Sequence, residues 1–179
     1  PQYLTYVRRE PVGVAALIAP WNSPLALGSM KVASAIAFGN SCVLKPAEQD
    51  PLGLTMLIDA IQSAGLPAGV VNLVNGYGAS VGDRLVRHPD VDCVSFTGGT
   101  RTGKIIMSTA GANLKPAVME LGGKSANIIF DDADFDTALD GALIGIFTNN
   151  GQQCLAGARV LVQRGIYKQF VEAFLERAK

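Results

Sequence analysis

Short apolar, β-branched runs alternate along this chain with longer stretches in which apolar residues recur every three or four positions. "VGVAALIAP" (12–20), "SCVLK" (41–45), "VVNLV" (70–74), "CVSFT" (93–97) and "AVMEL" (117–121) read as strands, and "ANIIF" (126–130) and the run at 159–163 add two more. Helical patterns lie between them. One covers 25–37, after Pro24 and before Gly39 and Asn40, and a second runs over 51–63 from Pro51 to "AGLP". Shorter ones fall at 79–87 and 102–110, a longer one at 135–149 opens on aspartates, and an amphipathic helix begins near Tyr167. The first residues read as a strand-like segment. The last, "FVEAFLERAK", stop inside a helical pattern without a capping glycine, so the chain is expected to be an internal portion of a longer protein.

Strands that alternate with helices predict parallel βαβ units. Nearly every strand position is apolar, as in a sheet covered on both faces. The predicted fold is α/β: a Rossmann-like doubly wound parallel sheet over residues 1–122, then the start of a second α/β domain over 123–179, with the boundary near Gly122 and Gly123. In such sheets ligands bind beyond the carboxyl ends of the strands. The segments there are "PWNSP", "KPAEQDP", "NGYGASVG", "GGTRTG" and "GGKS", mostly rich in glycine, proline or both.

Composition narrows the chemistry. Fifteen basic residues balance fifteen acidic ones, with no basic run, so neither nucleic acid nor an anionic membrane is a predicted partner. No apolar stretch reaches the length of a membrane span, and no signal-like segment opens the chain. The three cysteines, Cys42, Cys93 and Cys154, are widely spaced without a CxxC, and His88 is the sole histidine. That usage argues against a disulfide framework and a structural zinc site, predicts no metal, and suits a reducing, cytoplasmic compartment. His88, in "RHPD", reads as a turn residue, so a nucleophile here must be activated without a histidine base.

Cys42 and Cys93 sit in apolar strands and read as small core residues. Cys154, in "NNGQQCLAGAR", is surrounded by small and amide side chains that leave room beside the sulfur, and either core or nucleophile fits the residues alone. Glu120 ends an otherwise apolar strand, either capped by the following glycine turn or used as a base. Asn22, between prolines, is a turn residue or an amide donor. Gly76, Gly78 and Gly82 are spaced GxGxxxG rather than as the dinucleotide fingerprint, and "FTGGTRTGK" places Gly98 and Gly99 before a helix. Each pattern reads equally as a tight turn or as a phosphate contact.

Taken in order, "PWNSPL", "KPAEQDP", "FTGGTRTGK", "MELGGKS" and "GQQCLAGAR" resemble the NAD(P)-dependent aldehyde dehydrogenase superfamily over essentially the whole chain. The resemblance implies that Cys154 attacks an aldehyde to give a thiohemiacetal, which becomes a thioester and is hydrolysed to the acid. It makes Glu120 the general base, its basicity raised by partial burial, and makes Asn22 an oxyanion donor together with the main-chain N–H of Cys154. It implies that Lys45 and Glu48 bind the adenosine ribose, and that Trp21, Phe96, Gly98, Gly99, Leu121 and Gly122 line the cofactor groove, with Gly78 and Gly82 behind the adenine. Glu48 accepts from a 2′-hydroxyl and repels a 2′-phosphate, so NAD is preferred, with NADP also possible. A small-molecule aldehyde is the implied partner, and relatives are dimers or tetramers. Two other readings stand beside this one: a non-catalytic dinucleotide-binding module with an inert cysteine, and a CoA-acylating semialdehyde dehydrogenase, against which Glu120 argues.

Overall fold

The structure, a computed structural model, describes residues 2–179. The chain divides into two compact units, one ending at Leu121 and the other running from Gly122 to Lys179. The first is α/β, with one parallel sheet of five strands: β1 (Val14–Ile18), β2 (Ser41–Lys45), β3 (Val71–Leu73), β4 (Cys93–Gly98) and β5 (Ala117–Leu121), in spatial order β3-β2-β1-β4-β5. Helices α1 (Pro24–Ala37) and α2 (Leu52–Ser63) make the first two crossovers. After β3 the chain passes to the other side of β1 through a π-helical turn (Gly78–Gly82) and α3 (Asp83–Arg87), and α4 (Thr100–Ala112) returns it to β5. The order therefore reverses between β1 and β4, where a doubly wound sheet opens its binding crevice.

Strand alternation supplies two cores. Ala15, Leu17, Cys42, Leu44 and Val71 pack with Val32 and Ala35 of α1 and Leu54 and Ile58 of α2. Ala16, Ile18, Val94 and Phe96 face the other way and pack with Val86 of α3 and Ile106 of α4. Full burial of an aliphatic side chain such as Leu44 or Leu54 contributes about 1.5–3 kcal/mol. Polar side chains anchor the start of the central strand: Asn40 Oδ1 accepts from Val12 N at 2.7 Å, and Asp92 Oδ2 accepts from Val14 N at 2.7 Å.

Three sequence expectations are corrected. Residues 2–12 form no strand, because no neighbouring strand pairs with them, and Tyr3, Leu4, Tyr6 and Val7 are exposed. The helix expected at 79–87 is a π turn followed by α3, and the one expected at 102–110 begins earlier, directly after the glycine pair, and runs on to Ala112.

The second unit holds the two-stranded parallel sheet β6 (Ala126–Ile129) and β7 (Arg159–Val162), with α5 (Phe135–Phe147) and α6 (Tyr167–Arg177). Its core is Ile129, Leu139, Ala142 and Phe170, and Phe135 meets Phe170 edge-on at 5.7 Å. Helix α5 stops two residues short of the expected 149. Asn149, Asn150 and Gly151 take left-handed φ angles of 53°, 57° and 73°, a conformation that asparagine and glycine tolerate and that a right-handed helix cannot continue through. Among the described residues, no helix is long and apolar enough to cross a membrane.

Candidate active site

The carboxyl end of β2 delivers Lys45, whose side chain is 2% exposed. Its Nζ donates to the Pro46 carbonyl at 2.8 Å and lies 3.6 Å from a Glu48 carboxylate oxygen, while Glu48 itself stays exposed. Burial pushes the Lys45 ammonium below the usual lysine range, and the Glu48 charge pulls it back up. The turn that follows β3 brings Gly82 against the Lys45 stem. A cleft of about 250 Å³ opens beside these residues, lined by Ala47, Glu48, Pro51, Asn75, Gly76 and Tyr77. Of that lining, the sequence points to Glu48 as a ribose ligand and to Gly76 as part of a tight turn or a phosphate contact. Asn75 and Tyr77 lie inside the glycine-rich stretch, and that stretch was the available signal.

At the end of β4, Phe96 is buried and its ring lies under Gly98, where any side chain's Cβ would fall 2.6 Å from the ring. Only glycine lets the main chain pass there. Gly99 caps α4 in an extended conformation without a side-chain cap, so the first-turn amides of α4 have no intrahelical acceptor. The Thr97 hydroxyl is buried with no hydrogen-bond partner. Leu121 closes β5 and packs against Gly103 of α4, and Gly122 opens the second unit.

Glu120 lies in β5 paired in register with Thr97 of β4. It is exposed, contrary to the partial burial expected of it, because no helix of the first unit covers that side of β5 and its neighbour Val118 is 60% exposed too. Asn22 is half-buried in the bend between β1 and α1, and Trp21 beside it is exposed. Sequence reasoning missed Lys31, on the face of α1 turned to the sheet. Its Nζ donates to Ser95 Oγ of β4 at 2.7 Å, and burial lowers its pKa to about 8 against the opposing pull of Glu120. A lone lysine among the buried positions Gly28, Val32 and Ala35 was the signal.

In the second unit Cys154 is exposed, whereas Cys42 is buried and Cys93 half-buried. The loop that carries Cys154 is fixed at both ends. Gly157 N donates to the Gly145 carbonyl of α5 at 3.0 Å, and Asn149 Nδ2 donates to the Gln152 carbonyl at 3.3 Å. Ala156, two residues beyond the sulfur, is buried and anchors the turn.

The family profile described as Aldehyde dehydrogenase family matches residues 1–179. This chain belongs to the aldehyde dehydrogenase family. It is 52% identical over 180 residues to an aldehyde dehydrogenase of Emericella nidulans, covering 100% of this chain and 36% of that protein. It is 53% identical over 175 residues to the 5-carboxymethyl-2-hydroxymuconate semialdehyde dehydrogenase of Escherichia coli, covering 98% of this chain and 37% of the relative. An aldehyde dehydrogenase from Bacillus cereus, solved as its NAD+ complex, superposes with a TM-score of 0.93 at 49% identity, covering 96% of this chain and 35% of the other. Betaine aldehyde dehydrogenase from Staphylococcus aureus, also with NAD+, gives 0.92 at 49% identity over 94% of this chain and 33% of its own. The present member of the family thus spans little more than a third of the length of the aldehyde dehydrogenases it matches.

Proposed function

We propose that the protein carrying this chain oxidises a small-molecule aldehyde to a carboxylic acid with NAD, using Cys154 as nucleophile, Glu120 as general base and Asn22 as oxyanion donor. The observation that carries the reading is the state of the three thiols: Cys154 alone is exposed, on a loop held at both ends and flanked by small residues. The units ending at Leu121 and beginning at Gly122 are read as the cofactor-binding portion and the first part of the catalytic domain.

The residues at the strand ends fit a dinucleotide. A buried lysine next to an exposed carboxylate offers a donor and an acceptor to ribose hydroxyls. The gap above Phe96 at Gly98 and Gly99 admits a pyrophosphate to the N-terminus of α4, where the helix dipole favours an anion. The unpartnered Thr97 hydroxyl has a bond left to give. Trp21, Leu121 and Gly122 line the groove in this reading, with Gly78 and Gly82 behind the adenine, and Glu48 disfavours a 2′-phosphate.

The thiolate of Cys154 adds to the aldehyde carbon, and the carbonyl oxygen takes the negative charge. Asn22 and the Cys154 main-chain N–H donate to that oxygen, and one such donor commonly contributes about 3 kcal/mol. NAD, when bound, supplies the hydride acceptor that converts the thiohemiacetal to a thioester. Glu120 then takes a proton from the water that attacks the thioester, and the acid departs as the thiol is restored. Positioned proton transfer of this kind contributes about 10²- to 10⁴-fold.

Rapid mixing with NAD and a panel of aldehydes tests the proposal. The wild-type protein is expected to give a burst of NADH, Glu120→Gln a burst with slow turnover, and Cys154→Ala none. NADH formation that survives Cys154→Ala would refute it.

A further inference from the structure

The sheet face beneath α1 holds a charged group that the proposed reaction does not use. Ser95 and Thr97 of β4 point to the same side of the sheet, and their register partners on β5 are Val118 and Glu120. Lys31 comes down from α1 onto that face and ends on the Ser95 hydroxyl at 2.7 Å, in a half-buried contact between elements 64 residues apart in the chain. The level of Ser95 lies two residues below that of Glu120, about 7 Å along the sheet. Lys31 is accordingly within electrostatic reach of that carboxylate. A lysine side chain has several freely rotating bonds and no preferred direction, so one accepting group at its end decides where the ammonium sits.

We propose that Ser95 is a positioning residue for the base: its hydroxyl fixes Lys31 on the β4–β5 face, and the fixed ammonium orients the Glu120 carboxylate for deacylation. This rests on the assignment of Glu120 as base. The hydroxyl accepts a charge-assisted bond from the ammonium, which favours the charged form of Lys31. Burial works the other way and lowers the Lys31 pKa to about 8. The charge of Glu120 opposes that lowering, and the Ser95 hydroxyl holds the ammonium at a fixed place on the β4–β5 face.

The other titratable groups on elements around α1 are Asp59 of α2, which is exposed, Cys42 of β2, which is buried, and Cys93 of β4. Lys45 at the end of β2 instead lies against Gly82. Glu120 is the charge that acts on Lys31.

The test uses the whole protein and two readouts. Competitive acetylation mapped by mass spectrometry follows the ionisation of Lys31, and single-turnover deacylation is measured across pH. With Ser95→Ala, the Lys31 midpoint is expected to move to lower pH. Deacylation falls about three- to tenfold at pH 8 and less than about twofold at pH 6.5, where the ammonium persists. Ser95→Thr, which keeps the hydroxyl, is expected to restore both readouts. An unmoved midpoint and profile in Ser95→Ala, or equal shifts in the alanine and threonine variants, would overturn the role of Ser95 while Glu120→Gln still blocks deacylation. If Glu120→Gln leaves deacylation intact, the assignment of the base falls and this proposal with it.

Discussion

Gly28, in the middle of α1, is where the fold and the site meet. A Cβ added there would lie 2.3 Å from Leu54 Cδ2 and 2.9 Å from its Cδ1, and Leu54 is 0% exposed. Both methyls are in the way, so a simple rotation of Leu54 does not clear the clash. In an open helix, glycine to alanine would stabilise by about 1 kcal/mol. Overpacking a full core costs about 1–3 kcal/mol, so the clash wins, and Gly28→Ala is expected to destabilise by about 1–2 kcal/mol. Leu54→Ala alone leaves a cavity and costs about 2–5 kcal/mol. In the double variant the new methyl occupies part of that cavity, so the combined loss should fall short of the sum by more than about 1 kcal/mol. Urea unfolding of the four proteins measures the cycle. A stabilised Gly28→Ala, or strict additivity, would refute the packing argument. The consequence reaches the site because Lys31 lies one turn further along α1: Gly28→Ala should also disturb its bond to Ser95.

Three further outcomes are expected. Glu48→Gln removes a charge that opposes a 2′-phosphate, and because Glu48 is exposed its effect is modest, a gain of about tenfold in kcat/KM with NADP relative to NAD, read by steady-state kinetics. At pH 8 iodoacetamide should modify Cys154 well ahead of the other thiols, since burial raises Cys42 to about 11 and burial together with the charge of Asp92 raises Cys93. Peptide mapping checks the order. Asp134 caps α5 by accepting from Thr137 N at 2.9 Å, and hydrogen bonds from Thr137 hold its carboxyl below the ordinary 3.8. A depressed folded pKa stabilises above the unfolded value and is lost as pH falls through the folded one, so Asp134→Ala should weaken hydrogen-exchange protection of α5 at pH 6 and make little difference near pH 2.

The inner strands were legible because helices cover both faces of the sheet there, which leaves apolar runs, and the crossover helices because their own apolar faces repeat with helical spacing. The α/β class followed from that alternation, and the candidate cofactor residues at the strand ends were read from it. What the sequence did not disclose depends on partners brought together by tertiary structure. The Lys31–Ser95 contact joins a helix to a strand 64 residues further along the chain. Residues 2–12 pair with no described strand, and pairing is what local propensity cannot register. The break at Asn149 to Gly151 was written in residues that tolerate a left-handed backbone, but apolar periodicity through Phe147 concealed it.

The central claim is that Cys154 carries the acyl group. Incubating the Glu120→Gln protein with NAD and an aldehyde substrate, quenching in acid and mapping the peptides by mass spectrometry tests it directly. The expected result is an acyl mass increment on the peptide containing Cys154, dependent on NAD and absent from peptides containing Cys42 and Cys93. An unmodified Cys154 peptide in a protein that has produced NADH would contradict the assignment.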